Sequence, residues 1–321
     1  MAKPKLALYW AASCGGCEIA VLDLHARILD VAAAFDIVFW PVALDFKYDD
    51  VRAMADKTID LCLFNGAIRN SENEEIAHLL RAKAKTVVAF GSCALEGGIP
   101  GLANLTTKDA IWGYVYGESP STVKQNGGTY PLTHTTMPEG PIEIPEMWNT
   151  VRSLDQVIEV DYYVPGCPPQ PERIWEVIEQ ILSGKPLPPR GSVLGAGEKT
   201  CCDECGRTRE ERKLKKFYRP FEIETDPARC LLDQGIVCMG PATRDGCGGL
   251  CPKANVPCRG CYGPPPNVTD QGAKMVSALS SIIDAHEPEE IEKILDQIAD
   301  PMGTFYRFSL AHSILRRVEK Q

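Results

Sequence analysis

The chain has 321 residues, of which 44% are apolar and 24% charged; 34 Lys+Arg stand against 43 Asp+Glu, for a formal net charge of -9. The apolar fraction excludes a disordered chain, and the acidic balance argues against a general nucleic-acid or anionic-membrane surface. No run approaches the roughly 18 uncharged apolar residues of a membrane span. The first ten residues carry two lysines and a short β-like run without an apolar h-region or a twin-Arg leader, so the expectation is a cytoplasmic protein.

Residues 6–10 form an apolar run that ends at a Ser-Cys-Gly-Gly-Cys loop. From 18 to 35, Ile19, Leu22, Ala26, Leu29 and Ala33 recur at helical spacing. Residues 37–40 and 59–64 read as strands, 74–83 as a helix and 86–90 as a strand. A long irregular stretch, 95–145, precedes a predicted helix over 147–157, a strand over 160–164 and a helix over 171–182 closed by Gly184. Strands alternating with helices predict the α/β class: a flavodoxin-like, doubly wound parallel sheet. Residues 184–197 are rich in Pro and Gly and read as a linker. The cysteine-dense stretch that follows has little periodicity and little apolar surface to bury, so something other than a hydrophobic core must order it. Beyond Pro266, Met275, Leu279 and Ile282, then Ile291, Ile294 and Ile298, mark further helices. The expected division is a flavodoxin-like domain over 1–185, an irregular Cys-rich domain over 186–265 and a C-terminal helical segment over 266–321.

The 14 cysteines carry the chemistry. Cytosolic thiols stay reduced, so metal explains them better than disulfides do. Cys14 and Cys17 follow the first strand, Cys93 follows the strand 86–90, and Cys167 follows the strand 160–164. Ligands in open α/β sheets sit beyond the carboxyl ends of strands, so these four thiols should converge on one edge. Four thiolates at one point suit a [4Fe-4S] cluster or a Zn²⁺ ion. Gly15, Gly16, Gly91 and Gly166 leave room there for a bulky inorganic core and offer N–H groups to its sulfides. Cys62, inside a strand, reads as a packed thiol. The second group, Cys202, Cys205, Cys230, Cys238, Cys247, Cys251, Cys258 and Cys261, supplies two more four-thiolate centres and leaves Cys201 over. By count alone, two structural zinc ions fit this region equally well.

Four motifs recur along nearly the whole chain: Ser13-Cys14-Gly15-Gly16-Cys17-Glu18, Gly91-Ser92-Cys93-Ala94, Pro165-Gly166-Cys167-Pro168-Pro169, and Pro257-Cys258-Arg259-Gly260-Cys261-Tyr262-Gly263-Pro264. Together they resemble the small subunit of [NiFe] hydrogenases. Lys216-Phe217-Tyr218-Arg219-Pro220 and Cys238-Met239-Gly240-Pro241-Ala242-Thr243 bring the resemblance nearest to the cytosolic methyl-viologen-reducing, deazaflavin-non-reducing type. In that type the gamma subunit is associated with heterodisulfide reductase in methanogenesis. The resemblance implies three [4Fe-4S] clusters: proximal on Cys14, Cys17, Cys93 and Cys167, medial on Cys247, Cys251, Cys258 and Cys261, and distal on Cys202, Cys205, Cys230 and Cys238. Many relatives carry histidine where Cys202 stands, and the adjacent Cys201 leaves the choice between the two open. Relatives with a [3Fe-4S] medial cluster have one cysteine fewer there. The resemblance also implies a nickel–iron centre on a partner large subunit, where H₂ is split. Electrons would then pass through this chain to an iron–sulfur acceptor subunit and heterodisulfide reductase subunits. The alternatives are a small subunit serving a deazaflavin- or NAD(P)-reducing partner, and a non-redox structural zinc module.

Five further features bear on function. Glu18 is a candidate proton relay or interface carboxylate, against the plainer reading of an acid favoured at a helix N-terminus. The run Arg207, Arg209, Arg212, Lys213, Lys215, Lys216 and Arg219 reads either as a docking patch for an acidic acceptor or as a solvated helix face. His25, His78, His134, His286 and His312 share no spacing and read as ordinary residues. Neither a G-x-G-x-x-G nor a Walker lysine follows strand one, which disfavours nucleotide binding. The irregular stretch 95–145 is long enough to expect a function, and it is read as lying against the large subunit.

Overall fold

The computed structural model describes residues 3–123, 130–210 and 213–318. Lys5–Trp10 (β1), Asp36–Phe39 (β2), Ile59–Asn65 (β3), Ala84–Phe90 (β4), Tyr162–Val164 (β5) and Ser192–Val193 (β6) form one sheet. Its order is β2-β1-β3-β4-β5-β6, and every pairing is parallel. The chain starts in the sheet's interior and reverses direction between β1 and β3, the flavodoxin-like doubly wound arrangement.

These strands are apolar on both sides because both sides are covered. Along β3, Leu61 and Leu63 join one buried cluster while Ile59, Cys62 and Phe64 join the other. Ile76, Ala77 and Leu80 of the helix Ser71–Lys83 cover the second face. Ala20 and Val21 of the helix Gly16–Leu22 (α1) cover the first, with Ile174, Val177 and Ile178 of the helix Pro171–Leu182. Cys62 is fully buried in this packing, as a thiol inside a strand should be.

Several expected elements change. The helical stretch 18–35 breaks into α1, a 3₁₀ turn at His25–Arg27 and a helix at Ile28–Ala34. The helix expected over 147–157 is instead the strand Met147–Arg152, paired antiparallel with Ile68–Asn70 and followed by a 3₁₀ turn, Leu154–Gln156. The buried Asn104 fixes that extended backbone: its amide donates to the Val151 carbonyl (2.9 Å) and accepts from the Val151 N–H (2.8 Å). Tertiary pairing thus overrides the local pattern. The linker 184–197 contributes β6 to the sheet edge.

The Cys-rich stretch also has a core, contrary to the expectation from composition. Leu214, Phe217, Leu231, Leu232, Ile236 and Met239 pack with Met275, Leu279, Ile282, Ile294, Phe305 and Leu310 of the C-terminal segment. The two stretches bury their apolar groups against each other, so neither needs to hold a core alone. Among the described residues no helix is long and apolar enough to cross a membrane.

Candidate metal centres

The β1 strand ends at Trp10, and α1 starts at Gly16, so the intervening loop carries Cys14 to the surface and sets Cys17, buried, in the first turn of α1. Cys93 lies in the one-turn helix Ser92–Glu96 directly after β4, and Cys167 follows β5. Two backbone bonds hold these loops together: Gly91 N–H to Val164 O and Ser92 N–H to Gly166 O, each 2.8 Å. The four thiols share one electrostatic neighbourhood. Burial first, then the nearby Cys93, Cys167 and Cys14, push the Cys17 thiol far above its ordinary range. Cys93 is pushed up to about 12, by burial and then by Cys167 and Cys14. Gly91, at φ 84, passes so close that a Cβ there would run into the Cys17 sulfur.

The second half repeats this gathering twice. Cys202, Cys205, Cys230 and Cys238 line one hollow together with Gly240, Pro241 and Pro252. A Cβ on Gly240 would come within 2.9 Å of Cys202 Sγ and 3.7 Å of Cys238 Sγ. Cys247, Cys251, Cys258 and Cys261 form the other set, in which burial followed by Cys258 and Cys247 pushes the Cys251 thiol up. Cys201 stands between the two sets: it also lines the hollow of Cys202, Cys205, Cys230 and Cys238. Its thiol lies within hydrogen-bonding reach of Cys247 and Cys258, which hold it far above the ordinary range.

The three sets form a row, with the 247–261 set in the middle. On one side, Ser92 Oγ donates to the Cys261 carbonyl, and Gln170 N–H donates to Tyr262 Oη (3.3 Å). On the other, Cys258 N–H donates to Cys238 Sγ (3.3 Å). The donor sets suit four-iron clusters: four thiols each, with glycine backbone close to sulfur in two of them. Among the described residues, no three His, Cys, Asp or Glu side chains close tightly enough to hold a single metal ion.

Two side chains whose part does not show in the sequence fix the second half. Glu204 accepts from Gly246 N–H (3.0 Å) and Gly248 N–H (2.9 Å), tying the Cys205 turn to the Cys247 loop. Arg207 donates to the carbonyls of Pro252, Arg229 and Asp226 and to Asn255 Oδ1, joining the loops that carry Cys251 and Cys230. Both act mainly on backbone oxygens or N–H groups, which leave no mark in a sequence.

The basic run is therefore not a uniform patch. Arg207 is spent on these loops, Lys215 faces Asp284 at 3.8 Å, and Lys216 lies over the Tyr218 ring. The run is not helical among its described residues, and Leu214 and Phe217 within it are buried. Arg212 lies outside the described residues. Glu18 is buried and turned inward, accepting a hydrogen bond from the Trp40 indole, and burial raises its carboxyl. Of the histidines, His312 meets Asp155 Oδ2 at 3.3 Å, and the exposed His134 meets Glu143 Oε1 at 3.3 Å.

The Ni-Fe-Se hydrogenase of Desulfomicrobium baculatum shares the fold: TM-score 0.50 at 18% identity, over 82% of this chain and 95% of that one. The two chains thus share one α/β architecture. The family profile of the NADH ubiquinone oxidoreductase 20 Kd subunit matches residues 14–181. The iron-sulfur subunit of the F420-non-reducing hydrogenase of Archaeoglobus profundus is 41% identical over 98% of both chains. The corresponding subunit of the F420-non-reducing hydrogenase of Methanothermobacter thermautotrophicus is 36% identical over 99% of this chain and 98% of its own. The chain belongs to this family of F420-non-reducing hydrogenase subunits, within the wider NADH ubiquinone oxidoreductase 20 Kd family, and so is a subunit of a hydrogenase.

Proposed function

We propose that the chain is the electron-transfer small subunit of a cytoplasmic [NiFe] hydrogenase that serves heterodisulfide reductase in methanogenic metabolism. One observation carries this reading: three sets of four thiols stand in a row, in an order that suits relay from one end to the other. In this reading Cys14, Cys17, Cys93 and Cys167 hold the proximal [4Fe-4S] cluster. Cys247, Cys251, Cys258 and Cys261 hold the medial one, and Cys202, Cys205, Cys230 and Cys238 the distal one. When bound, such clusters supply one-electron redox chemistry. Both Cys201 and Cys202 line the distal hollow; Cys202 is preferred as the ligand because its sulfur sits beside Gly240 and Cys238, whereas the Cys201 thiol is also within hydrogen-bonding reach of Cys247 and Cys258. The chain's own residues fix the thiols, keep water from the inner ones and offer N–H groups near sulfur, the protein's levers on cluster potential. The domain division 1–185, 186–265 and 266–321 is part of the same proposal.

The large subunit, with its nickel–iron centre, fits the edge around the exposed Cys14. Trp10, Ile19, Leu22, Leu44 and Phe46 are exposed in this part of the chain, more apolar surface than a solvated face keeps. The excursion 95–145 also exposes Leu105, Tyr114, Val115, Leu132 and Ile142, so shortening it should release the large subunit, seen as loss of co-purification. The iron–sulfur acceptor subunit and the heterodisulfide reductase subunits belong at the other end of the row. Glu18 fits a relay in being a raised carboxyl next to Cys17, and unchanged H₂ oxidation in Glu18→Gln would end that idea.

The deciding experiment is anaerobic purification with metal analysis. About twelve iron atoms per chain and a brown colour that bleaches on reduction are expected from three four-iron clusters. Colourless protein with zinc in the same thiols would overturn the reading, because zinc thiolates are redox-silent.

A further inference from the structure

Beside the strand pair Ile68–Asn70 and Met147–Arg152 lies a cavity of about 430 Å³, lined by Trp148, Arg152, Arg316 and Arg317. Among the described residues its one lining carboxylate is Glu74, already paired with Arg152 at 2.6 Å. Arg69 lies close to Arg317, and its Nη1 is buried without a hydrogen-bond partner. Desolvation first, then the like charge of Arg317, draw its pKa down. The indole Nε1 of Trp148 is likewise buried and unpartnered. Arg69 does not line the cavity itself but bears on it through Arg317; a half-buried guanidinium beside another, with no carboxylate to meet it among the described residues, costs free energy until an anion arrives. A cluster of this sign also stands out in a chain of net charge -9.

We propose that this arginine cavity receives a carboxylate side chain of the hydrogenase large subunit, a proposal that rests on the small-subunit reading above. Two observations favour a protein carboxylate over a free ion. Ile314, Leu315 and Val318, which flank Arg316 and Arg317, are 64%, 52% and 73% exposed, an apolar rim that a small anion does not need and a protein interface does. The cavity also adjoins the face assigned to the large subunit: Ala67, two residues before Arg69, pairs with Ala12, two residues before Cys14. Planar guanidinium donors match a carboxylate in two parallel hydrogen bonds, which fixes orientation as well as attraction.

The test uses the iron-loaded heterodimer. Treating the Arg317→Lys heterodimer with a carbodiimide activates a carboxylate, which the new amine attacks to form an amide with net loss of water. The proposal expects a cross-link from position 317 to an Asp or Glu of the large subunit, located by mass spectrometry. It also expects Arg317→Glu to weaken subunit association at least tenfold at low salt, with iron content retained. Cross-links only to Glu74, or unchanged association in both variants, would overturn it. So would a cavity that stays open in the heterodimer and binds inorganic phosphate. If the wild-type chain and the large subunit failed to associate at all, the small-subunit reading itself would fall, and the cavity proposal with it.

Discussion

The two halves of the molecule reach order by different routes. In the first, apolar strands buried on both faces set the positions of Cys14, Cys17, Cys93 and Cys167, which follow three strand ends. In the second, the regular elements among the described residues of 201–261 are short turns, the longest being Cys201–Cys205, and the loops are tied by Glu204, Arg207 and Gln271 to backbone groups. The first half therefore presents a site that the fold has already built. The second relies on those ties and on a core shared with the C-terminal helices, and in the proposed reading on the clusters its thiols would hold.

Stripping the iron is the sharpest way to break that contrast. Metal bound only by the folded state contributes its binding free energy to folding, on the order of 10 kcal/mol for structural metal–thiolate sites. Anaerobic chelation should abolish amide protection across 201–261 while β3 and β4 stay protected in hydrogen exchange. Equal loss in both halves would show that the sheet, too, depends on the clusters.

Core truncations come next in size. Leu80→Ala, under the sheet, and Met275→Ala, in the shared core, both remove fully buried side chains and should each cost about 2–5 kcal/mol. The comparison predicts different consequences. Leu80→Ala should lower the stability of the sheet half with all iron kept, whereas Met275→Ala should also raise the rate of iron loss from the second half. Iron release and thermal melting, followed together, separate the two. Arg207→Met is expected to behave like Met275→Ala, since it unties the loops of Cys230 and Cys251.

What was legible in the sequence follows the same division. Strands and helices that carry their own periodicity were readable, and so were the cysteines at strand ends, because a parallel sheet leaves them only one edge to face. Met147–Arg152 was misread because its conformation is imposed by Asn104 and Ile68–Asn70, both distant in sequence. The core of the Cys-rich stretch was invisible because much of it, from Met275 to Leu310, lies beyond Pro266. The direction in which Cys201 points, towards Cys247 and Cys258, depends on a helical turn capped by Thr200 and Asp203, a feature too short to show periodicity. The basic run reads either as a docking patch or as a solvated helix face, and only the helix is ruled out for its described part, which is extended or irregular, with Leu214 bridged to Ile283.

The smallest effect concerns the seam between the halves. Glu96 follows Cys93 by one helical turn and rests against Gly263, two residues after Cys261, inside a cavity of about 400 Å³ that also holds Asp155, Arg244, Asp270 and His312. Desolvation pushes its carboxyl up to about 7; His312 and Arg244 oppose the shift, and Asp155 and Asp270 add to it. In the unfolded chain the group ionises near the ordinary glutamate value, so between there and about 7 the native state binds the extra proton. Stability from this group is therefore complete at acid pH and fades as pH rises through about 7, by an amount on the order of 1–3 kcal/mol. His312, raised chiefly by its bond to Asp155, loses its contribution in the same direction but starting nearer neutrality. Asp155, held low by His312 and Ser153 against desolvation, acts oppositely and only on acidification. Glu96→Gln in the iron-loaded protein should thus flatten the fall in melting temperature between pH 5 and 7 while leaving the part above it. An unchanged slope would mean that water already reaches the carboxylate, and that the seam between sheet and Cys-rich half is open rather than sealed.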